Sequence, residues 1–298
     1  MKIGYFPGCS LHGTAVEYQE SLFEVCKKFD IELIEIKDWN CCGATAAHSL
    51  NKLLSLALAT RTLALAEKQG FDEIVIPCAA CFNRLATAYQ ELQHDKIIKE
   101  KISEVIEMEF TAKSKPMNLI DFINKYLIDK LAGMVTTPFA QTSACYYGCL
   151  LVRPKEIAIC ERYEDPLMME DIMKKIGGKS IDWAFKTECC GAGLSVSKTD
   201  IVGKLSGNIL EDAVSRGAEV IITACPMCQS NLDMRRKNIN LFLGKKVDVP
   251  VLFITQAIGM ALGIDSKKLG MHRHIVNTDI LFTKNSANNI VQKAGQEA

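Results

Sequence analysis

The sequence predicts an α/β fold made of two similar repeated domains, each with a mainly parallel sheet flanked by helices. Three observations predict it. Short apolar runs alternate with longer segments of helical spacing, the pattern of parallel sheets with crossover helices. A series of Gly-Cys, Cys-Cys-Gly-Ala and Cys-x-x-Cys occurs twice in the same order. The chain has 298 residues, 48% hydrophobic and 23% charged, enough for two cores of ordinary size.

The elements follow in order. "KIGYF" is a short strand that ends before Cys9, and "GTAVEYQESLFEVCKKF" has helical apolar spacing. "IELIEI" is the next strand, before Cys41 and Cys42. "SLNKLLSLALATRTLALAEKQG" is one helix stopped by Gly70, and "DEIVIP" is a buried strand that leads to Cys78 and Cys81. Residues 96–131 contain no cysteine and read as helices. The second half repeats the order. "PFAQTSACY" leads to Cys149, and "KSIDWAF" leads to Cys189 and Cys190. "DIVGKLSGNILEDAVSRG" is a helix, "AEVIIT" runs into Cys225 and Cys228, and "DVPVLFITQAIGMAL" adds a strand and a helix. The boundary falls near Gly133–Pro138, giving domains 1–137 and 138–298. A polar tail from Lys267, with "HRH" and "NSANN", is expected to lie on a partner.

Composition excludes several functions. Lys+Arg and Asp+Glu balance at 35 each, so no basic surplus suggests nucleic acid. No run of about 18 apolar residues predicts a membrane span. The start "MKIGYFPGCS" lacks the apolar core of a signal peptide, so a cytoplasmic protein is expected. Thirteen cysteines in a reducing compartment point to metal or redox chemistry rather than structural disulfides.

Ten of the 13 cysteines fall into the repeat. Thirty-one residues separate Cys9 from Cys41, and 39 separate Cys149 from Cys189. Thirty-five separate Cys42 from Cys78, and 34 separate Cys190 from Cys225. Each half thus offers five thiols at the carboxyl ends of strands, where ligands of open α/β sheets bind. A structural zinc takes four ligands, and so does a cubane cluster. Five in both halves favour an unusual cluster. Zinc in one half is the rival reading, since four of five thiols would suffice. The ferredoxin run of closely spaced cysteines is absent.

This Gly-Cys, Cys-Cys-Gly, Cys-x-x-Cys pattern resembles the cysteine-rich CCG-domain family. Two copies in so short a chain resemble its branch of archaeal heterodisulfide reductase B subunits, over nearly the whole chain. The resemblance implies a non-cubane 4Fe–4S cluster in each half. Cys9, Cys41, Cys42, Cys78 and Cys81 would hold one, and Cys149, Cys189, Cys190, Cys225 and Cys228 the other. The gap before Cys225 is slightly shorter than the family's. The implied substrate is the mixed disulfide of coenzyme M and coenzyme B, reduced to two thiols in one-electron steps. The implied partners are a ferredoxin-like C subunit and a flavin-containing A subunit, with a hydrogenase or formate dehydrogenase as a further source of electrons. Alternatives are an iron–sulfur component of a lactate, glycolate, succinate or fumarate oxidoreductase, and a thioredoxin-like dithiol oxidoreductase. The last leaves the Cys-Cys-Gly-Ala elements unexplained.

Other residues are read more plainly. His12 and His48 are candidates for proton donation or anion binding, against an ordinary structural role. Arg153 and Lys198 are candidates for binding substrate anions, against ordinary surface charge. Cys26 and Cys160 read as core, and Cys145 is an alternative ligand to Cys149.

Overall fold

The computed structural model describes residues 1–44 and 47–281. In the first half β1 (Lys2–Tyr5) is followed by α1 (Gly8–His12), α2 (Val16–Lys28) and β2 (Glu32–Glu35). Then come α3 (Ala47–Leu50), α4 (Lys52–Lys68), β3 (Glu73–Ile76), α5 (Ala79–His94), α6 (Lys96–Ile106) and β4 (Lys115–Asn118). The helices α7 (Leu119–Tyr126) and α8 (Ile128–Met134) lead to the second half. There β5 (Thr142–Tyr146), α9 (Met168–Lys175), β6 (Lys179–Ser180), α10 (Thr199–Ser215) and β7 (Val220–Thr223) follow. The short α11 (Pro226–Gln229) runs into a π-helical turn at Ser230–Met234. The last elements are α12 (Arg236–Leu243), β8 (Val251–Phe253) and α13 (Ile254–Ala261).

The two sheets share one topology. Their strand orders are β2-β1-β3-β4 and β6-β5-β7-β8, with all pairs parallel. Parallel strands covered on both faces are buried throughout, and Ile74, Val75, Ile76, Val220, Ile221 and Ile222 are all inaccessible. Register decides where the cysteines emerge. Tyr5 lies opposite Val75, and Tyr146 opposite Thr223. The Gly-Cys loop and the Cys-x-x-Cys loop therefore leave each sheet side by side.

Two local expectations need correction. The cysteine-free segment 96–131 is not wholly helical, because Lys115–Asn118 forms β4. This is an edge strand, the place where a sheet tolerates Pro116. The long helix after Cys42 is broken in two. Asn51 adopts an extended conformation, and its side chain accepts a hydrogen bond from the Leu54 amide, capping α4. In "KSIDWAF" only Lys179 and Ser180 are strand; the remainder ends in a 3-10 turn at Ala184–Thr187.

The halves meet through α2 and α13. Tyr18 stacks on Phe253 with ring centroids 3.9 Å apart and planes 5° from parallel. Ser21 and Thr255 share a buried hydroxyl–hydroxyl bond of 2.7 Å. As far as residue 281, the segment after Lys267 forms a strap over its own chain. Gly270 packs where an added Cβ would stand 2.4 Å from Glu17 Cβ. Arg273 pairs with Glu20 at 2.9 Å, and the amides of Ile275 and Val276 donate to Asp233. Buried apolar residues Leu269, Met271 and Leu281 hold it there. "NSANN" lies outside the described residues.

Candidate metal centres

Each site is built from three loops. Cys9 sits in α1 just past β1, and Cys149 occupies the matching place past β5. Gly8 and Gly148 precede them, with φ of +63° and +65°. An added Cβ on either would lie 2.8 Å from a sulfur, Cys81 Sγ in one half and Cys228 Sγ in the other. Here glycine is required both by conformation and by the close approach of a thiol. Gly43 and Gly191 also have positive φ, and their amides donate to the sulfurs of Cys41 and Cys189 at 3.5 and 3.3 Å. Cys78 and Cys225 stand at the N-cap positions of α5 and α11.

The sulfurs form pairs. Cys42 Sγ is 3.2 Å from Cys81 Sγ, and Cys190 Sγ is 3.7 Å from Cys228 Sγ. Cys41 and Cys42, Cys78 and Cys81, Cys225 and Cys228, and Cys149 and Cys189 also shift one another's proton affinity. Cys78 and Cys225 do the same across the seam between the halves. A line of sulfur therefore runs from one repeat into the other. Cys9, Cys41 and Cys189 are exposed and Cys149 is half-buried, while the six remaining repeat cysteines are buried. Each site has a wet face and a dry face.

Proton affinity follows these contacts. A thiol hydrogen bond from Cys41, then one from Cys81, holds Cys42 well below the usual thiol range, with Arg84 adding to the effect. Cys149 likewise lowers Cys189, to about 6. Cys228 and then Cys78 lower Cys225. Their hydrogen-bonding partners move upward, as does any thiol buried beside like charge. Soft sulfur donors with thiolate character fit iron–sulfur groups or zinc, and binding displaces the remaining protons. Among the described residues, no three His, Cys, Asp or Glu side chains close around one point as the shell of a single ion.

The cysteine-rich domain model, CCG, matches residues 3–86 and again residues 143–233. This chain belongs to the CCG family. Both matches enclose five of the ten repeat cysteines. The chain is 29% identical over 280 residues to the membrane anchor of the 8-methylmenaquinol:fumarate reductase of Wolinella succinogenes, covering 93% of this chain and 97% of that one. It is 28% identical over 284 residues to the B subunit of the ferredoxin/F420H2-dependent CoB–CoM heterodisulfide reductase of Methanosarcina acetivorans, covering 92% and 94%. A hypothetical protein from Helicobacter pylori shares the fold, with a TM-score of 0.78 and 15% identity over 93% of this chain; the chain spans 52% of that structure's length. Among the described residues no helix is long and apolar enough to cross a membrane.

The other predicted residues of this CCG chain divide. His12 is exposed, 3.2 Å from Glu35, and its ring centroid is 5.6 Å from that of Trp39. His48 is exposed on α3, against Ser49. Arg153 pairs with Glu164 at 2.9 Å, and its charge is felt at Cys149. Lys198 is exposed at the start of α10. Cys145 does not join Cys149. It lies buried in β5 with its thiol 3.6 Å from Ser180 Oγ, and burial pushes its pKa up. Cys26 is core, pushed up to about 12 by burial, whereas Cys160 is only half-buried in a loop.

Sequence reasoning missed four contributors. Lys186 is 2% exposed, with its ammonium 2.8 Å from Asp165 and 3.3 Å from Glu170. Its carbonyl accepts from the amides of Tyr147 and Gly148, so it ties the Cys189 loop to the Cys149 loop. Asn83 spans the seam, donating to the carbonyls of Leu150 and Arg153 at 3.3 and 2.8 Å. Arg84 and Asn231 each follow a Cys-x-x-Cys by three residues. Counting on from the repeated cysteines is the signal that finds the last two.

Proposed function

We propose that this chain is the disulfide-cleaving iron–sulfur component of a heterodisulfide reductase-type complex. In this reading each half holds one non-cubane 4Fe–4S cluster through its five cysteines, and the substrate is the coenzyme M–coenzyme B mixed disulfide. The observation that carries it is the meeting of two matched five-cysteine sets at one seam, Cys78 against Cys225. Opening a disulfide takes two electrons and two protons, and two like sulfur atoms suit two like faces. When bound, the clusters supply electrons singly and iron positions that accept sulfur. The chain's own residues do the rest. Buried Cys42, Cys78, Cys81, Cys190, Cys225 and Cys228 keep water from the inner faces, and the exposed sides at Cys9, Cys41 and Cys189 admit substrate and donor. Arg84 and Arg153 supply positive charge for an anionic disulfide. His12, oriented by Glu35, is the candidate proton donor beside Cys9.

The kinship with a heterodisulfide reductase B subunit supports a multi-subunit complex, and in this reading the partners are a ferredoxin-like C subunit and a flavin-containing A subunit, in the cytoplasm. The Wolinella relative favours a second reading, an iron–sulfur component of a fumarate-type oxidoreductase. Anaerobically purified chain, its iron counted, is tested with reduced viologen dye and the heterodisulfide. Dye oxidation by the heterodisulfide supports the first reading. Iron-loaded chain inert towards it favours the second, and iron-free active chain would make it a dithiol enzyme.

A further inference from the structure

Large apolar side chains stand open on the face beside the exposed Cys189. The loop that carries Cys189 and Cys190 runs on to Val196, which is 94% exposed. Met234, at the end of the π-helical turn, is exposed too, as are Leu241 and Phe242 in α12. Positions seven and eight apart lie on one stripe of a helix. The loop and the stripe adjoin, because Arg235 Nη2 donates to the Ser195 carbonyl and Ser195 Oγ to Asn231 Oδ1, each at 2.7 Å. Helix α10 packs alongside. An added Cβ on Gly203 would lie 2.8 Å from the Asn238 carbonyl oxygen, and one on Gly207 3.0 Å from Phe242 Cδ1. Open apolar side chains on neighbouring elements mark an interaction surface.

The charges around this stripe have one sign in excess. Lys198, Lys204 and Lys237 are exposed, and among the described residues none has a carboxylate partner. The half-buried Arg235 donates to a neutral carbonyl. Most carboxylates of the same elements are already matched. Glu211 pairs with Lys245 and Asp212 with Arg216, and Asp233 is buried under the Ile275 and Val276 amides. Arg236 is buried against the Val247 and Val249 carbonyls. On the Cys149 side, Arg153 pairs with Glu164 and Arg162 with Asp165. That leaves Lys198, Lys204, Arg235 and Lys237 against Asp200 and Glu188. An apolar centre with a cationic rim suits an acidic partner. A second copy is disfavoured, since two-fold pairing would set these cations against themselves.

We propose that the α10–α12 face is the docking site of an acidic ferredoxin-like protein, which delivers electrons to the redox group of the second half past Cys189. This rests on the iron–sulfur reading above. The step is a one-electron transfer from the reduced partner to that group, with no bond made or broken. Val196 lies seven residues past Cys189 in one loop, so a protein resting on it reaches the wet side of the second site. The rim cations set the rate of encounter, and the apolar stripe sets the lifetime of the complex.

The test is stopped-flow reduction of the full anaerobically purified chain by a reduced acidic two-cluster ferredoxin. Iron is counted in each variant, and reduced viologen dye is the control donor. The wild-type ferredoxin rate should fall steeply as salt rises. Lys204→Glu combined with Lys237→Glu should lower it about tenfold at low salt, and Val196→Asp about as much, while both keep the viologen rate. Leu50→Asp, at an exposed site after the Cys-Cys pair of the first half, should change neither rate. If the double variant loses iron, Val196→Asp decides alone. Iron-loaded variants that keep the wild-type ferredoxin rate overturn the proposal, as does an equal loss in Leu50→Asp or an iron-loaded wild type that the ferredoxin cannot reduce. Phosphatidylglycerol vesicles are the second probe. Binding to them that the double variant abolishes, with an unmoved ferredoxin rate, makes the face a membrane surface and overturns the proposal. Iron-free wild type overturns the underlying reading with it.

Discussion

The two halves gather their cysteines alike but anchor them differently. In the first, the loop before Cys41 is fastened from outside. Arg61 donates to the Asp38 carboxylate and carbonyl, both at 2.6 Å, and to Asn40 Oδ1 at 3.2 Å, with Asp38 76% exposed. In the second, the loop before Cys189 is fastened from within by Lys186, which is 2% exposed. An exposed ion pair is worth little and is screened by salt, whereas a buried one is costly to break. Sulfur geometry is therefore shared between the repeats while the means of holding it is not. The glycines beside the thiols, not the ion pairs, are what the two sites have in common.

The largest effects should come from the thiols themselves. Replacing Cys81 or Cys228 by Ser should each remove about half the iron and at least 100-fold of disulfide reduction, and combining them should add little loss, as for residues acting as a unit. Iron assays beside dye-linked kinetics check this. One variant lacking half its iron yet reducing the heterodisulfide normally would break the equivalence of the halves. Next comes Lys186→Met, which leaves the half-buried Glu170 with the Tyr147 hydroxyl but no cation and should cost about 3 kcal/mol in chemical unfolding. Arg61→Met should cost under about 1 kcal/mol, and less in high salt. Equal costs would erase the contrast between the two anchors.

Gly8→Ala and Gly148→Ala should behave as twins. Each places a Cβ 2.8 Å from a sulfur and forces positive φ on an L-residue, about 1–2 kcal/mol of strain apiece. Loss of iron from one half in each variant is the measurement. The smallest effect belongs to the strap. His274 is buried between Gln229, Gln256 and Asp233, and burial lowers its pKa against the opposing pull of the Asp233 carboxylate. Its folded pKa thus lies below the unfolded value of about 6.5. The stability that neutral His274 contributes is whole above that value. It is lost as pH falls below it, because the unfolded chain takes a proton that the folded one refuses. The unfolding midpoint should fall between pH 7 and pH 5.5 more steeply in wild type than in His274→Gln.

Much of this was legible in the sequence, and the reasons are local. Strand ends, glycines and cysteines recur with near-constant spacing, so the α/β repeat and both five-thiol sets could be read from order alone. β4 could not, because "KPMN" is four residues long and holds a proline that only an edge position excuses. The break at Asn51 hid inside an apolar run. Contacts between the halves were also hidden. Nothing in either repeat announces that Cys78 faces Cys225, since that depends on how α2 packs on α13. Lys186 gave no signal, because the carboxylates nearest its ammonium, Glu170 and Asp165, lie 16 and 21 residues away in sequence. The strap looked like a polar tail because its buried residues, Leu269, Met271 and Leu281, are sparse.

The central claim is that both halves carry equivalent iron–sulfur sites, and metal content tests it most directly. Chain purified without air should contain about eight irons and a similar amount of acid-labile sulfide, falling by half in Cys81→Ser and equally in Cys228→Ser. About four irons with one zinc, or zinc alone, would contradict it.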